Sequence, residues 1–446
     1  MIVLFLPLLG AGRTLPADAQ EPAPNILVIV TDDQRDGTMD VMPKTLDLFS
    51  TGVEFSDAVA TTPVCCPSRA SIFTGQYAHN HDVRSNADGE AQNLSHDTTV
   101  QYYLHERGGY RTGLVGKFLN GWDVNRAPPY FDEYAITRGG YYHSRFLLGV
   151  EGTQKVRWSR GYSTNFVKRK ALRFLERSEA SDVEPWLLFV TPFAPHGPSI
   201  SPPRYWDAEV PPFEPDPAML EDDLSDKPPQ YSKYAKPFDY ADQEGRRGRQ
   251  MRALMPVDDM VERLRAELVK RGEEDTLIVF MSDNGYMWGE HGLTAKATPY
   301  APSVDIPMFL KWDGHVVPGV DARLAANIDV APTVLDAAGI TPDHPVDGRS
   351  LLEVWDRSEL LTEVYGAVSR PELRWASILS ADFQYVEYYG GDETITTFRE
   401  YYDLTADPYQ LENLLGDAES ANDPNVADLS TRLARYRVCP LLTPCP

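Results

Sequence analysis

The sequence of 446 residues is poor in basic residues, in cysteine and in long apolar runs. It has 42 lysines and arginines against 66 aspartates and glutamates, which gives a formal net charge of -24. This acidity argues against nucleic acid as a partner, because phosphate binding needs a basic face. It also argues against a polyanion-binding surface spread over the whole protein. Basic residues that bind an anionic ligand must therefore act locally, against the background field.

No apolar run is long enough to cross a membrane. The first ten residues are mostly apolar but too short to span a bilayer, and Ala17-Asp18-Ala19 follows them as a small-x-small cleavage site. We interpret residues 1–19 as a signal peptide and expect a secreted or periplasmic protein. Because the segment lacks the usual basic residues at its start, a misplaced translation start is the alternative.

Four cysteines fall into two pairs by position. Cys439 and Cys445 are separated by five residues that include prolines. In an exported protein they could close a small disulfide, and two free thiols are the alternative. Cys65 and Cys66 are adjacent and belong to the motif described below.

Apolar runs predict an α/β fold with a large core. Three runs read as buried strands that end in polar clusters, and the helical spacing of apolar residues predicts helices from Met251 to Lys270 and from Thr98 to Glu106. The three strands are Asn25 to Val30, before Asp32 and Asp33; Trp186 to Val190, before His196; and Thr276 to Met281, before Asp283 and Asn284. Functional sites of open α/β sheets lie at such carboxyl ends.

The second half of the chain has two segments of different texture. Ile200 to Phe238 is rich in proline and acidic residues without a clear period, which predicts a long loop. Beyond residue 355, short alternating segments such as Trp375 to Leu379 and Phe383 to Tyr389 predict a small antiparallel sheet. We therefore expect a main domain over residues 20–355 and a C-terminal subdomain over residues 356–446.

Asp32, Asp33, Asp283 and Asn284 offer oxygen ligands of the kind that a hard divalent cation such as calcium prefers. Each pair alone is weak evidence, because such residues after a strand are more often turn residues whose side chains bond to local backbone. Their occurrence together with the Cys65 motif, described next, strengthens the prediction of a metal site.

The segment from Cys65 to Gly75 resembles the C-x-P-S-R-x-x-x-x-T-G signature at which sulfatases convert a cysteine into formylglycine. On that resemblance Cys65 is the modified residue and Cys66 fills the variable position. A hydrated aldehyde suits sulfate transfer, since it carries two hydroxyls on one carbon, one to attack and one to expel sulfate later. A buried turn or one half of a disulfide is the alternative for this segment.

The resemblance implies the alkaline-phosphatase-like sulfatase fold, with a large, mostly parallel central sheet flanked by helices and a small C-terminal antiparallel sheet. It implies one bound calcium, with magnesium as the alternative, and a site made of metal ligands, cationic donors with a proton donor, and more peripheral substrate-binding histidines. The metal ligands are Asp32, Asp33, Asp283, Asn284 and modified Cys65; the catalytic residues, with Cys65, are Arg69, Lys117, His196 and Lys296; the histidines are His79, His81 and His291.

Three further segments resemble the N-acetylglucosamine-6-sulfatase branch: residues 65–81, 116–120 and 224–228. The expected substrate is therefore a sulfated amino sugar or glycosaminoglycan-type glycan, and the expected maturation partner is a formylglycine-generating enzyme. The chain departs from the wider family at Leu119, where many members have a histidine, at Ala301, where glutamate is common, and at Asp305, where arginine is common. The base that releases sulfate is therefore open, with His79 or His81 as candidates.

Two other functions fit parts of the pattern. A phosphodiesterase or phosphonate monoester hydrolase would share the fold and can use the same modified cysteine. A catalytically silent protein that binds sulfated glycans would result if Cys65 stayed a thiol. The complete set of metal ligands and lysines favours the sulfatase.

Overall fold

A ten-stranded sheet forms the centre of the fold, and a separate four-stranded antiparallel sheet lies beside it. The computed structural model describes residues 23–150, 152–178, 184–368, 370–391 and 394–439. The predicted signal peptide at residues 1–19 and the expected partner of Cys439, Cys445, lie outside these ranges. Within them, no helix is both long and apolar enough to cross a membrane.

Fourteen strands and nine α-helices are named here in chain order within the described residues. The strands are β1 Asn25–Thr31, β2 Val53–Phe55, β3 Arg111–Lys117, β4 Glu133–Thr137, β5 Arg145–Val150, β6 Thr153–Trp158, β7 Trp186–Thr191, β8 Thr276–Ser282, β9 Met308–Lys311, β10 Gly319–Asp321, β11 Leu360–Ala367, β12 Arg370–Leu379, β13 Phe383–Tyr389 and β14 Thr396–Asp403. The helices are α1 Pro43–Phe49, α2 Cys65–Thr74, α3 Ala78–His81, α4 Val100–Glu106, α5 Ser163–Ser178, α6 Tyr240–Arg271, α7 Ala301–Val304, α8 Val330–Ala337 and α9 Val426–Arg437.

The large sheet has the strand order β10-β2-β9-β8-β1-β7-β3-β4-β5-β6. Its centre, from β8 to β4, is parallel throughout. Antiparallel pairing enters on either side, at β9 and at β5 and β6. The predicted α/β architecture is confirmed, and the carboxyl ends of four adjacent strands, β8, β1, β7 and β3, meet along one edge.

Alternate residues of β1 face opposite sides of the sheet, which explains its unbroken apolar run. Ile26, Val28 and Val30 pack into one apolar cluster with residues of α2, α4 and α8. Leu27 and Ile29 pack into a second cluster with residues of α1, α5 and α6. The site-bearing strands are thus held between two layers of helices.

The predicted antiparallel sheet is formed by β11 to β14 in sequential order. It packs against the large-sheet unit through shared apolar clusters, in which Val59 and Leu324 lie with Leu360 and Tyr385. The segment from Ile200 to Phe238 contains only short 3-10 helices, at Pro203–Tyr205, Pro217–Met219 and Pro229–Lys233.

The predicted helix at Met251 to Lys270 begins eleven residues earlier, at Tyr240. Gly245 and Gly248 weaken helix propensity in that first part, so the apolar pattern alone missed it. The Asp239 side chain caps this end by accepting a hydrogen bond of 3.0 Å from the backbone N–H of Asp242.

Candidate active site

Polar side chains from four neighbouring parallel strands meet at one edge of the large sheet. Asp283 and Asn284 directly follow β8, and Asp32 and Asp33 directly follow β1. Lys117 is the last residue of β3, and His196 lies five residues beyond the end of β7. The fold therefore joins residues that lie up to about 250 positions apart in the sequence.

Helix α2 begins at Cys65, and this first residue of the helix lies at the same edge of the sheet. All ten residues of α2 are buried, including the polar ones. Arg69 lies one turn along the helix, and its guanidinium donates to Asp283 Oδ2 at 2.8 Å and to the Lys117 carbonyl at 2.9 Å. Gly75 ends the helix in the left-handed conformation at φ 71°, which favours glycine.

Two buried cations, Lys117 and Arg69, and the partly buried Lys296 face the buried carboxylates. Lys117 Nζ donates to both oxygens of Asp32, at 2.9 and 2.8 Å. Lys296 Nζ donates to Asp33 Oδ1 and, at 3.3 Å, to Asn284 Oδ1. With Arg69 on Asp283, each carboxylate has a cationic partner, as buried charges require.

These cations set the ionisation of the two aspartates after β1. Burial opposes ionisation of Asp32, but Lys117, His196 and Arg69 outweigh it and lower the pKa of its carboxyl. Burial also opposes ionisation of Asp33, and Lys296 and His196 outweigh it, so that its pKa is lowered too. Burial disfavours the charged form of Lys117, whereas Asp32 raises its pKa above the ordinary value. Asp32, Asp33 and Lys117 are therefore charged at neutral pH.

The Cys65 thiol lies within this cluster and is fully buried. Its Sγ is 3.4 Å from Asp32 Oδ1, 3.7 Å from Asp33 Oδ1 and 2.6 Å from Lys296 Nζ. Burial, with Asp283 nearby, raises the pKa of the thiol well above its ordinary value. An unmodified Cys65 is therefore protonated at neutral pH and a poor nucleophile.

Asp32, Asp33, Cys65 and His196 could together hold a metal ion, since one ligand atom of each lies within 4.8 Å of the others. The donor set suits a hard cation only in part, because carboxylates are its preferred ligands and a thiol sulfur is not. An oxygen in place of Sγ would complete a hard donor set. Asp283, the other carboxylate predicted as a ligand, accepts hydrogen bonds from Arg69 and from the Asp33 backbone N–H at 3.1 Å.

His196 lies at the open side of the cluster, with about a third of its side chain exposed. Its Nε2 is 3.7 Å from Asp33 Oδ2, and its Nδ1 is 2.8 Å from the Gly197 carbonyl. The Nδ1–H therefore donates to this carbonyl, which turns Nε2 toward Asp33. The ring packs on Phe193, with 4.6 Å between ring centroids.

The other three predicted histidines have partners outside the cluster. His79 Nδ1 lies 2.9 Å from Glu363 Oε1, and His81 Nε2 lies 3.0 Å from Ser71 Oγ. His291 Nδ1 lies 2.5 Å from Glu221 Oε2. Among the hydrogen bonds of the described residues, none of these histidines contacts Asp32, Asp33 or Cys65.

Two supporting residues were not predicted from the sequence. Glu363, on β11, is buried beneath His79, and the Tyr141 hydroxyl donates to the His196 carbonyl at 2.6 Å. Both contacts join segments that are far apart in the chain, so no local pattern marks them. At Leu119, where many family members have a histidine, the side chain is apolar and is buried in a core cluster.

The family model described as Sulfatase matches residues 24–340, and the model described as N-sulphoglucosamine sulphohydrolase, C-terminal, matches residues 289–438. An extracellular sulfatase SULF-1 homolog of Drosophila melanogaster is 33% identical over 75% of this chain. The alignment spans 31% of that relative, and 49% of a similar Caenorhabditis elegans relative, so the chain covers a third to a half of their length. The N-acetylglucosamine-6-sulfatase of Homo sapiens is 29% identical over 98% of this chain and 88% of its own length.

Among solved structures, BT4656 in complex with its substrate D-glucosamine-2-N,6-O-disulfate superimposes with a TM-score of 0.78 and 23% identity. The match covers 93% of this chain and 98% of that one. At this identity the similarity establishes the fold alone.

Proposed function

We propose that this chain, which belongs to the sulfatase family, hydrolyses O-sulfate esters of a sulfated amino sugar or glycosaminoglycan-type glycan. One observation carries the proposal: Lys296 Nζ lies 2.6 Å from Cys65 Sγ, inside a buried cluster that also holds Lys117 and Arg69. A cluster of fixed cations around one side chain of the signature motif suits the transfer of an anionic group.

The three cations have distinct positions around that side chain. Lys296 faces the position of Sγ directly, where it would stabilise a negative charge on the attacking group or on a sulfate oxygen. Lys117 is held by both oxygens of Asp32, and Arg69 by Asp283. Because these partners fix the cations before substrate binds, little reorganisation is needed when charge develops on the sulfate.

His196 is the proposed proton donor to the leaving alcohol. Donation from Nδ1 to the Gly197 carbonyl leaves Nε2 as the atom that holds or releases the proton. This Nε2 lies 3.7 Å from Asp33 Oδ2, and the partial exposure of His196 opens the ring to a bound sugar. Imidazole is suited to this task near neutral pH.

Calcium and formylglycine are the proposed additions to the site. Asp32, Asp33, Asp283, Asn284 and the oxygen that replaces Sγ at Cys65 would hold the cation. Asp283 and Asn284 both lie next to Asp33, since Asp283 Oδ1 accepts from the Asp33 N–H at 3.1 Å and Asn284 Nδ2 donates to Asp33 Oδ1 at 2.9 Å. When bound, calcium supplies Lewis-acid polarisation of a sulfate oxygen, and formylglycine supplies a hydrated aldehyde as nucleophile. We also propose export of the chain and maturation by a formylglycine-generating enzyme.

Peptide mapping followed by matched variants tests the proposal. In protein co-produced with a formylglycine-generating enzyme, the peptide with Cys65 should lose about eighteen mass units, the difference between thiol and aldehyde. Cys65→Ser should abolish turnover of glucosamine 6-sulfate and of an aryl sulfate. Cys66→Ala removes the neighbouring buried thiol and is the matched control, which should keep both the mass loss and most of the activity.

Substrate and metal are then varied with the mature protein. Sulfate esters should be cleaved faster than the matching phosphate esters under saturating calcium, and chelation should remove activity that calcium restores. Faster cleavage of phosphate or phosphonate esters would overturn the sulfatase proposal in favour of the phosphoester alternative. An intact thiol at Cys65 after co-production would overturn the mechanism.

A further inference from the structure

A basic surface lies on β6 and α5, at the far edge of the large sheet. Residues 152–175 contain seven lysines and arginines and no aspartate or glutamate. The rest of the chain has such an excess of acid that the net charge is -24. Charge in this segment is therefore opposite in sign to that of the molecule as a whole.

Six of these cations line one open pocket of about 380 Å³ and have no ion-pair partner among the described residues. They are Lys155, Arg157, Arg160, Arg169, Lys170 and Arg173. Burial and the surrounding cations, Arg173 and Lys155 foremost, lower the pKa of the Lys170 ammonium. Cations gathered without counter-charges repel one another, so an anionic ligand would relieve a repulsion that the fold itself maintains.

Aromatic and apolar side chains complete this pocket. Trp158 is 59% exposed, although tryptophan is seldom so exposed without a partner. All six residues of β6 are exposed, and β6 has no neighbour on its outer side in the described sheet. An exposed indole among cations fits a sugar ring that carries sulfate groups, because the ring can stack while the sulfates pair with arginines.

The basic surface lies on the same edge of the sheet as the active site. Trp158 pairs with Arg145 at the start of β5, and Phe146 of β5 pairs with Thr137 at the carboxyl end of β4. Five strand spacings separate β6 from β1, which is roughly 24 Å at about 4.8 Å each.

The loop of residues 138–144 bridges the two places. Its Tyr141 donates to the His196 carbonyl, and its Tyr142 ring lies 5.5 Å from that of Tyr162, just before α5. An extended sugar chain bound at the basic surface could therefore reach over this loop to His196.

We propose that β6, the turn that follows it and α5 form an exosite that binds a polysulfated glycan chain, while a sulfated sugar of the same chain occupies the active site. The choice of a glycan as the ligand, and its role as substrate, rest on the proposed function, whereas the binding of a polyanion at this surface does not. A sulfated glycan is favoured over nucleic acid because the active site, whose proposed substrate is a sulfated sugar, lies along the same edge of the sheet.

Charge reversal tests the exosite without touching the active site. Arg157→Glu/Arg160→Glu is compared with Arg249→Glu/Arg435→Glu, a control that reverses two exposed arginines on α6 and α9. All proteins also carry Cys65→Ser, so that binding is measured without turnover, and thermal unfolding checks that each variant is folded. The probe is a heparin oligosaccharide of ten or more sugars, titrated at several salt concentrations.

We expect the exosite variant to bind the oligosaccharide at least ~30-fold more weakly at low salt, with a shallower salt dependence, because two ionic contacts are lost and two repulsions are added. The control should change affinity less than about threefold, and Arg157→Gln/Arg160→Gln should fall between the two. Equal losses in exosite variant and control, or no loss in either, would overturn the proposal. Tighter binding of a single-stranded DNA of equal charge would overturn the choice of glycan.

Turnover separates this proposal from the proposed function. In the mature enzyme with Cys65 modified, the exosite variant should keep kcat/KM for an aryl sulfate and lose it for the polymer through a higher KM. A wild type that cleaves neither substrate yet binds the oligosaccharide through this surface would refute the proposed function and support the exosite.

Discussion

Removal of the Lys117 ammonium is the sharpest test of the charge balance in the active site. In Lys117→Met, Asp32 would remain buried, with 0% exposure, but without the cation that contacts both of its oxygens. Breaking a buried ion pair on one side typically costs about 3–5 kcal/mol of unfolding free energy, because the remaining charge is neither solvated nor paired. Arg69 Nη2, at 3.9 Å from Asp32 Oδ2, would compensate only in part.

The matched control is Lys44→Met. Lys44 also pairs with an aspartate, Asp259, but its side chain is 45% exposed. Exposed pairs contribute about 0–1 kcal/mol, so the two lysine-to-methionine changes should differ by at least ~2 kcal/mol in guanidinium unfolding followed by tryptophan fluorescence. Equal losses would refute the conclusion that Asp32 is a buried charge that depends on Lys117.

A third variant separates charge from packing. Lys117→Met/Asp32→Asn removes the orphaned charge and should recover most of the lost stability, although it stays inactive. Added calcium should stabilise Lys117→Met more than the wild type, since the cluster then has an excess negative charge for the cation to neutralise. No recovery in the double variant would show that the methionine itself, rather than the unpaired charge, disrupts the fold.

Further expected outcomes concern backbone, pH and thiol reactivity. Gly116→Ala should destabilise the protein by several kcal/mol more than Gly109→Ala, as calorimetry would measure, because a Cβ at Gly116 would lie 1.9 Å from a β7 carbonyl oxygen, whereas at Gly109 nothing lies within 4 Å, and both have positive φ. Burial opposes protonation of His79, but Glu363 outweighs it and raises the pKa of the imidazole. His79→Gln should therefore lower the free energy of unfolding by its full amount below about pH 6.5, and this loss should vanish as the pH rises through the pKa of His79 in the folded protein. An equal loss of unfolding free energy at pH 6 and pH 9 would contradict this. Unmodified Cys65 should react with iodoacetamide at pH 8 at least ~100-fold more slowly in the folded protein than in denaturant, because the thiol is buried. Mass spectrometry measures both alkylation rates, and comparable rates would contradict the burial of this side chain.

The sequence predicts the strands that carry the site better than it predicts the site's contacts. The apolar runs before Asp32 and Asp283 mark β1 and β8, because strands buried on both faces must be apolar throughout. The pairing of Asp283 with Arg69 and with the Asp33 backbone depends instead on contacts between residues 214 and 250 positions apart. Periodicity has no information on such contacts.

The histidines illustrate the same limit. His79, His81 and His196 all lie near motif residues in the sequence, yet only His196 joins the carboxylates. Glu363, from the second sheet, binds His79 and holds it in another place. A residue type at a suitable position is thus necessary for a role in the site, and tertiary pairing decides whether it has one.

The burial of α2 constrains the time at which Cys65 could be modified, relative to folding. Because Cys65 has no accessible surface in the folded protein, an enzyme that must enclose this side chain cannot reach it there. If Cys65 is converted to formylglycine as proposed, the conversion would have to precede the pairing of β1 with β8, whose paired residues lie some 250 positions apart in the sequence. The interval between the synthesis of α2 and that of β8 would then be the time available for the conversion, and a chain that folded earlier would keep an unmodified, buried Cys65.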